Sequence, residues 1–277
     1  MKKRYFFFPA LLAILTWTLA PIYWALRTSL LKETDVTSTS IKYLPIPAST
    51  ENYVKLLGLN GDTSVWQSFS QALTNSLVSS LIATIVVLLI AVLSGYAFAR
   101  LEFRGKNMLF MMVLITMALP AYAVIIPLYK IMIDVNLVDT QIGISLIYIS
   151  AFMPLSFWLM RNYFNTIPKE LDESAMIDGA SRFRALWTIL PLTLPGMVTA
   201  AILTFLSSWG QFLIPLLFAP SKTKPLTVLI TEFNGRYTMD YGMITAAGII
   251  TMVPPVLIVL FLNKFLISGL MDAAVKE

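Results

Sequence analysis

The chain has 277 residues, of which 57% are hydrophobic and only 13% charged. A soluble domain averages about 45–50% apolar and about 25% charged residues, so this chain has too little charge to cover a water-exposed surface of its size. It reads as an integral membrane protein, and its lack of cysteine and histidine excludes disulfides, thiolate metal sites and Ser-His-Asp or HExxH chemistry.

Uncharged stretches set the elements. They cover residues 5–26, 63–99, 107–129, 140–160, 185–221 and 241–263. Each reaches the roughly 20 apolar residues that a helix needs to cross the hydrocarbon core, and none holds two spans and a turn. The polar run 63–70 (TSVWQSFS) moves the start of the second span to near Gln71, and Pro191 and Pro195 mark the entry to the fifth. Six transmembrane helices are expected, near 5–26, 71–99, 107–129, 140–160, 191–216 and 241–263, in an all-α, single-domain chain. Lys2, Lys3 and Arg4 precede the first span as in a secretory signal. Its apolar run exceeds the usual h-region of about 7–15 residues, so it reads as an uncleaved anchor.

The net charge of +5 sits in the segments between spans, which points to membrane orientation rather than to nucleic acid. With the amino terminus in the cytoplasm, twelve basic residues fall inside and eight outside. The short loops separate better, with Arg100, Arg104 and Lys106 on one side and Lys130 on the other. Both termini are therefore expected in the cytoplasm.

Proline recurs within the spans, at Pro120, Pro127, Pro154, Pro215, Pro254 and Pro255. Neighbouring helices can satisfy the backbone groups that such kinks free, and broken helices can also line a pathway. No ionisable residue lies inside any apolar core. An ion-coupled secondary carrier, the alternative reading, needs such a group at mid-membrane to bind its coupling ion. The chain also lacks a GxxxxGK[ST] phosphate loop, so energy for transport must come from a partner.

The loop at 165–190 stands out. Pro168 suits a first helical position, and Glu170, Asp172 and Glu173 complement the positive end of a helix dipole. Gly179 is placed to end this short helix in a left-handed conformation, and Ser181 to cap a second one running toward Ile189. Leu171 and Ala175 share a face at i, i+4, with Ser174 and Ala175 keeping part of the surface small. The loop reads either as an amphipathic surface segment or as a docking knob for a cytoplasmic partner.

The motif Glu173-Ser174-Ala175, then Asp178-Gly179-Ala180-Ser181 and Ile189-Leu190-Pro191, resembles the EAA signature of ABC importer permeases. The flanking Ile167-Pro168-Lys169-Glu170-Leu171 is similar to that family's carbohydrate, maltose-type branch. Asn75-Ser76, Tyr96-Ala97-Phe98-Ala99-Arg100, Trp209 and the tail Gly269-Leu270…Ala274-Val275-Lys276 agree in order, so the resemblance covers nearly the whole chain. Three departures exist: Ser174 replaces an alanine, Pro191 comes one residue early after Gly179, and Gly210 follows Trp209 where the family often has asparagine.

The resemblance implies a permease subunit that is not itself an enzyme, in the inner membrane of a prokaryote. It implies a second, similar permease, a dimer of ATP-binding subunits that hold ATP and Mg, and an extracytoplasmic solute-binding protein. This chain would carry no cofactor. Leu171, Glu173, Ser174, Ala175, Ile177, Asp178 and Gly179 would couple it to the ATPase. A sugar or polyol path needs aromatic faces and uncharged hydrogen-bonding groups. Candidates are Tyr148 and Phe152 in the fourth span and Ser208, Trp209 and Gln211 in the fifth, although such residues also serve helix packing. Apart from the resemblance, Lys222, Lys224, Glu232, Asn234 and Arg236 in the outer loop 219–240 read either as reaching a binding protein or as the charges of a solvated loop.

Overall fold

The structure is a computed structural model that describes residues 2–119, 121–233 and 240–274, with side chains from residue 7 to residue 265 apart from 120–122 and 234–239. Every regular element among these is helical: α1 (Lys2–Ser29), α2 (Glu33–Val36), α3 (Glu51–Leu56), α4 (Ser64–Arg100), α5 (Lys106–Ala118), α6 (Ala121–Asp134), α7 (Gln141–Thr166), α8 (Glu170–Ile177), α9 (Arg182–Ile189), α10 (Leu194–Trp209), α11 (Leu213–Phe218), α12 (Leu226–Glu232) and α13 (Tyr241–Ala274). Five helical stretches are long and apolar enough to cross a membrane, and six if the bent pair α5/α6 counts as one span.

The six expected spans correspond to these helices, some of which run beyond the expected bounds, and two of the spans are interrupted. The third is not one straight helix but α5 and α6, bent by 102° from each other; Pro120 lies outside the described residues. The fifth does not run through 191–216. A 3-10 turn over Leu190–Thr193 leads into α10, which ends at Trp209, and α11 begins only at Leu213. By contrast, α7 and α13 continue through Pro154 and through Pro254 and Pro255. The α4 helix begins at Ser64, whose N–H donates to Asp62 Oδ1 at 3.0 Å. At about 1.5 Å per residue its 37 residues exceed a hydrocarbon core of about 30 Å, so its polar first turns extend beyond the apolar zone.

The chain divides into two compact units. The smaller comprises Met1–Leu73 and Leu226–Pro254. There the buried Asn52 amide donates to the Ser29 and Leu31 carbonyls, both at 2.9 Å, and stops the chain leaving α1. The Arg27 guanidinium lies 4.5 Å over the Trp24 ring and donates from Nε to the Lys42 carbonyl. No residue in the apolar window of α1 is buried within the chain, so lipid or another subunit must cover it.

The larger unit comprises Thr74–Pro225 and Pro255–Glu277. One core cluster joins Ala91, Val92, Tyr96 and Ala99 of α4 to Leu159, Met160, Tyr163 and Phe164 of α7, and to Leu186 and Ile189 of α9. Gly95 makes this approach possible: a Cβ there would stand 2.9 Å from Met160 Cβ and 3.0 Å from the Arg161 nitrogen. Small residues at such crossings let membrane helices gain dispersion energy where no hydrophobic drive exists. A second cluster gathers Ala83, Met132, Ile144, Ile147, Tyr148 and Phe218.

At one end of this unit Asp139 ties two loops together. Its carboxylate accepts the backbone N–H groups of Ser221, Lys222 and Thr223 at 3.3, 2.9 and 3.1 Å, and the Thr223 hydroxyl at 3.2 Å. Partial burial pushes its pKa up, but these donors outweigh that and hold it below the ordinary carboxylate value. The sign follows from linkage: the stabilisation is complete above the unfolded value of about 3.9 and is lost as pH falls through the lower folded value. Asp139→Ala should therefore cost about 1–3 kcal/mol in a denaturation measurement on the solubilised protein at pH 7. The gap between wild type and variant should stay constant down to pH 5.

Candidate functional site

The 165–190 loop folds as two short helices around a tight turn. The α8 helix starts at Glu170 with Lys169 at its N-cap, so Pro168 precedes the cap instead of opening the helix. The difference is small: Pro168 still fixes the extended exit from α7, and its carbonyl accepts from Leu171 N at 3.4 Å. Gly179 has φ +87°. Its N–H donates to the Met176 carbonyl and that of Ala180 to the Ala175 carbonyl, both at 3.0 Å. This is the paired closure of a Schellman motif, in which the residue after the cap must be left-handed. Ser181 then caps α9, its hydroxyl accepting from Arg184 N at 3.4 Å.

These caps present a small knob. Leu171, Glu173, Ser174, Ile177, Asp178 and Gly179 are exposed and Ala175 is half-buried. Ile177, at the tip, is 86% exposed. Phe183 and Trp187 of α9 are also exposed, with rings in edge contact at 6.0 Å. Their i, i+4 spacing was the available signal for a second apolar patch on this loop, and the sequence reading passed over it. Apolar side chains held outward by a rigid turn suit a partner's cleft.

The acidic flank is not uniform. Glu170 and Glu173 face solvent, but Asp172 is buried and so cannot meet a partner's basic groups. It is paired within the chain: Arg100 Nε, at the end of α4, donates to Asp172 Oδ2 at 2.6 Å, and the Tyr96 hydroxyl to Oδ1 at 3.1 Å. A separation of 72 residues hides this pairing from local sequence patterns.

The expected pathway residues fall into two groups. Tyr148 and Phe152 of α7 adjoin each other, with ring centroids 6.1 Å apart, and belong to or pack on the second core cluster. Ser208 and Trp209 end α10; Trp209 stacks on Phe205 at 5.6 Å, and Ser208 donates to its own helix at the Thr204 and Phe205 carbonyls. Gln211 follows in the gap before α11, its N–H donating to the Ser208 carbonyl at 3.3 Å. Ser156 and Thr204 pair their hydroxyls at 2.9 Å, joining α7 to α10 by a buried polar contact.

Comparison with known proteins agrees over nearly the whole length. Residues 87–271 match the family described as binding-protein-dependent transport system inner membrane component. The chain is 32% identical over 262 residues to the trehalose/maltose transport system permease protein MalG of Thermococcus litoralis, covering 93% of this chain and 91% of that one. It is 32% identical over 267 residues to the trehalose transport system permease protein SugB of Mycobacterium tuberculosis, covering 95% and 94%. A crystal structure of a bacterial ABC transporter involved in import of the acidic polysaccharide alginate includes a chain of the same fold. That match has a TM-score of 0.80 at 24% identity, over 95% of this chain and 97% of that one. With a helical membrane fold, the EAA-type loop and these matches together, the chain belongs to the permease family of binding-protein-dependent ABC importers, whose ATP hydrolysis resides in separate subunits.

Proposed function

We propose that this chain is one of two permease subunits of a carbohydrate importer in the cytoplasmic membrane of a prokaryote. Both termini lie in the cytoplasm, the α8–α9 loop docks on a dimer of ATP-binding subunits that hold ATP and Mg, and an extracytoplasmic binding protein delivers the solute. The observation that carries the reading is the knob: a Schellman-closed helix holding Ile177 almost fully exposed, next to half-buried Ala175 and exposed Leu171. Exposed apolar groups on a rigid support form the hot centre of an interface, and Glu173 and Asp178 beside them supply charge complementarity to a basic partner.

The solute class is read from the relatives, which are named for trehalose, maltose and arabinooligosaccharides. For the path itself we assign Tyr148, Phe152, Ser208, Trp209 and Gln211, with the interruption after Trp209 as its centre. A helix broken inside a membrane protein leaves backbone groups that can be satisfied only by protein, water or solute.

Orientation tests the docking role directly, because an outward loop meets no ATP. Leu59 and Ser221 are exposed and lie in segments expected outside. In the cysteine-free chain, Leu59→Cys and Ser221→Cys should react with a membrane-impermeant thiol reagent outside intact cells. Asn165→Cys should react only after lysis. Labelling of Asn165→Cys from outside would end the docking reading.

A further inference from the structure

Docking requires exposed residues, yet the cytoplasmic loop also contains a buried ionic network. Asp172, 4% exposed, is the buried member of α8. Its carboxylate accepts from Arg100 Nε at 2.6 Å and from the Tyr96 hydroxyl at 3.1 Å. Arg100 Nη2 also donates to the Ile167 carbonyl at 2.9 Å, and the Tyr96 hydroxyl lies 3.3 Å from the Arg182 carbonyl. Two side chains one turn apart on α4 therefore fasten the end of α7, the first turn of α8 and the first residue of α9.

Stability alone does not call for charges here. Buried ion pairs are often replaceable by apolar residues at no loss, whereas separating their partners is strongly disfavoured. With side chains only 5% and 6% exposed, the Arg100–Asp172 pair resists separation from α4 in a way that an apolar contact, free to slide, does not. We infer that Tyr96, Arg100 and Asp172 form a transmission clamp. They are positioning residues that touch neither ATPase nor solute and make α8 and the cytoplasmic end of α4 move as one body when the docked loop is displaced. This rests on the docking role proposed for the loop, and it adds that α4 is the first membrane helix to receive the displacement.

The test uses the whole complex that purifies with this chain, returned to lipid, with accessible partner cysteines replaced. Spin labels go on Leu93→Cys, exposed on α4, and Glu170→Cys, exposed on α8 and outside the set assigned to docking. Their separation is measured at rest and after trapping with Mg-ATP and orthovanadate. In the wild-type background the distance distribution should be the same in both states. In Asp172→Asn, and in Arg100→Gln combined with Asp172→Asn, a new distance population should appear on trapping, and Asp172→Glu should return it toward the single wild-type distance. Should Asp172→Asn fail to assemble, the double variant Arg100→Gln with Asp172→Asn, which removes both charges and leaves neither buried unpaired, decides. A wild-type distance that changes on trapping, or variants that keep one distance while the complex hydrolyses ATP normally, would overturn the clamp and leave docking intact. A wild-type complex without vanadate-sensitive hydrolysis would instead remove the docking reading, and the clamp with it.

Discussion

A valine at position 179 should abolish most solute uptake while the chain still inserts in the membrane at its normal level. Gly179 sits at φ +87° with nothing within 4 Å of where a Cβ would be, so the penalty is conformational and not a clash. For an L-residue the left-handed conformation costs roughly 1–2 kcal/mol, and a β-branched side chain is among the least tolerant of it. The local escape is to unwind the Schellman closure, which releases the Gly179 N–H from Met176 and the Ala180 N–H from Ala175. Ile177 and Asp178 then lose their fixed position, although no membrane helix has changed. Gly179→Asn should behave much better, because asparagine accepts the left-handed region. Glu173→Lys should reduce uptake by reversing charge on the same exposed face. The control is Arg104→Lys, which changes an exposed side chain; Lys106 is less suitable because its ammonium is tied to the Leu101 carbonyl at 2.8 Å and to Glu102 at 3.0 Å. Uptake and membrane abundance measured on the same cells distinguish the outcomes. Valine and asparagine transporting alike would mean that the turn is not part of coupling.

The contrast between Gly179 and Asp172 indicates how much was legible from the sequence. The turn, its two helices and the Ser181 cap follow from residues within four positions of one another, and local rules suffice for them. The spans were legible for a similar reason, since lipid demands long apolar runs whatever their neighbours are. What was not legible depends on tertiary partners. Asp172 has the local appearance of Glu173, and only the distant Arg100 and Tyr96 decide that one is buried and the other exposed. The interruption of the fifth span had a weak signal in Gly210, which caps α10, but nothing local separates it from Pro154, through which α7 continues. The bend between α5 and α6 was masked likewise by the uninterrupted apolarity of residues 107–129. Tyr148 and Phe152 illustrate the same limit, because an aromatic pair on a span reads alike whether it lines a path or fills a core.

The energy source is the other large effect. The uncharged stretches are flanked, not interrupted, by charge: Arg27, Lys130, Arg161 and Lys264 each directly follow one. An ion gradient has no mid-membrane carboxylate or amine through which to act. In the proposed function, work enters through the α8–α9 loop, from hydrolysis in a docked partner. The decisive measurement is uptake of radiolabelled trehalose, maltose and an arabino-oligosaccharide into proteoliposomes containing the complex that purifies with this chain, with its binding protein added outside. The account predicts accumulation of at least one of these sugars when ATP and Mg are enclosed, and background levels with a non-hydrolysable ATP analogue or with a proton or sodium gradient alone. Accumulation driven by an ion gradient in the absence of ATP would contradict it.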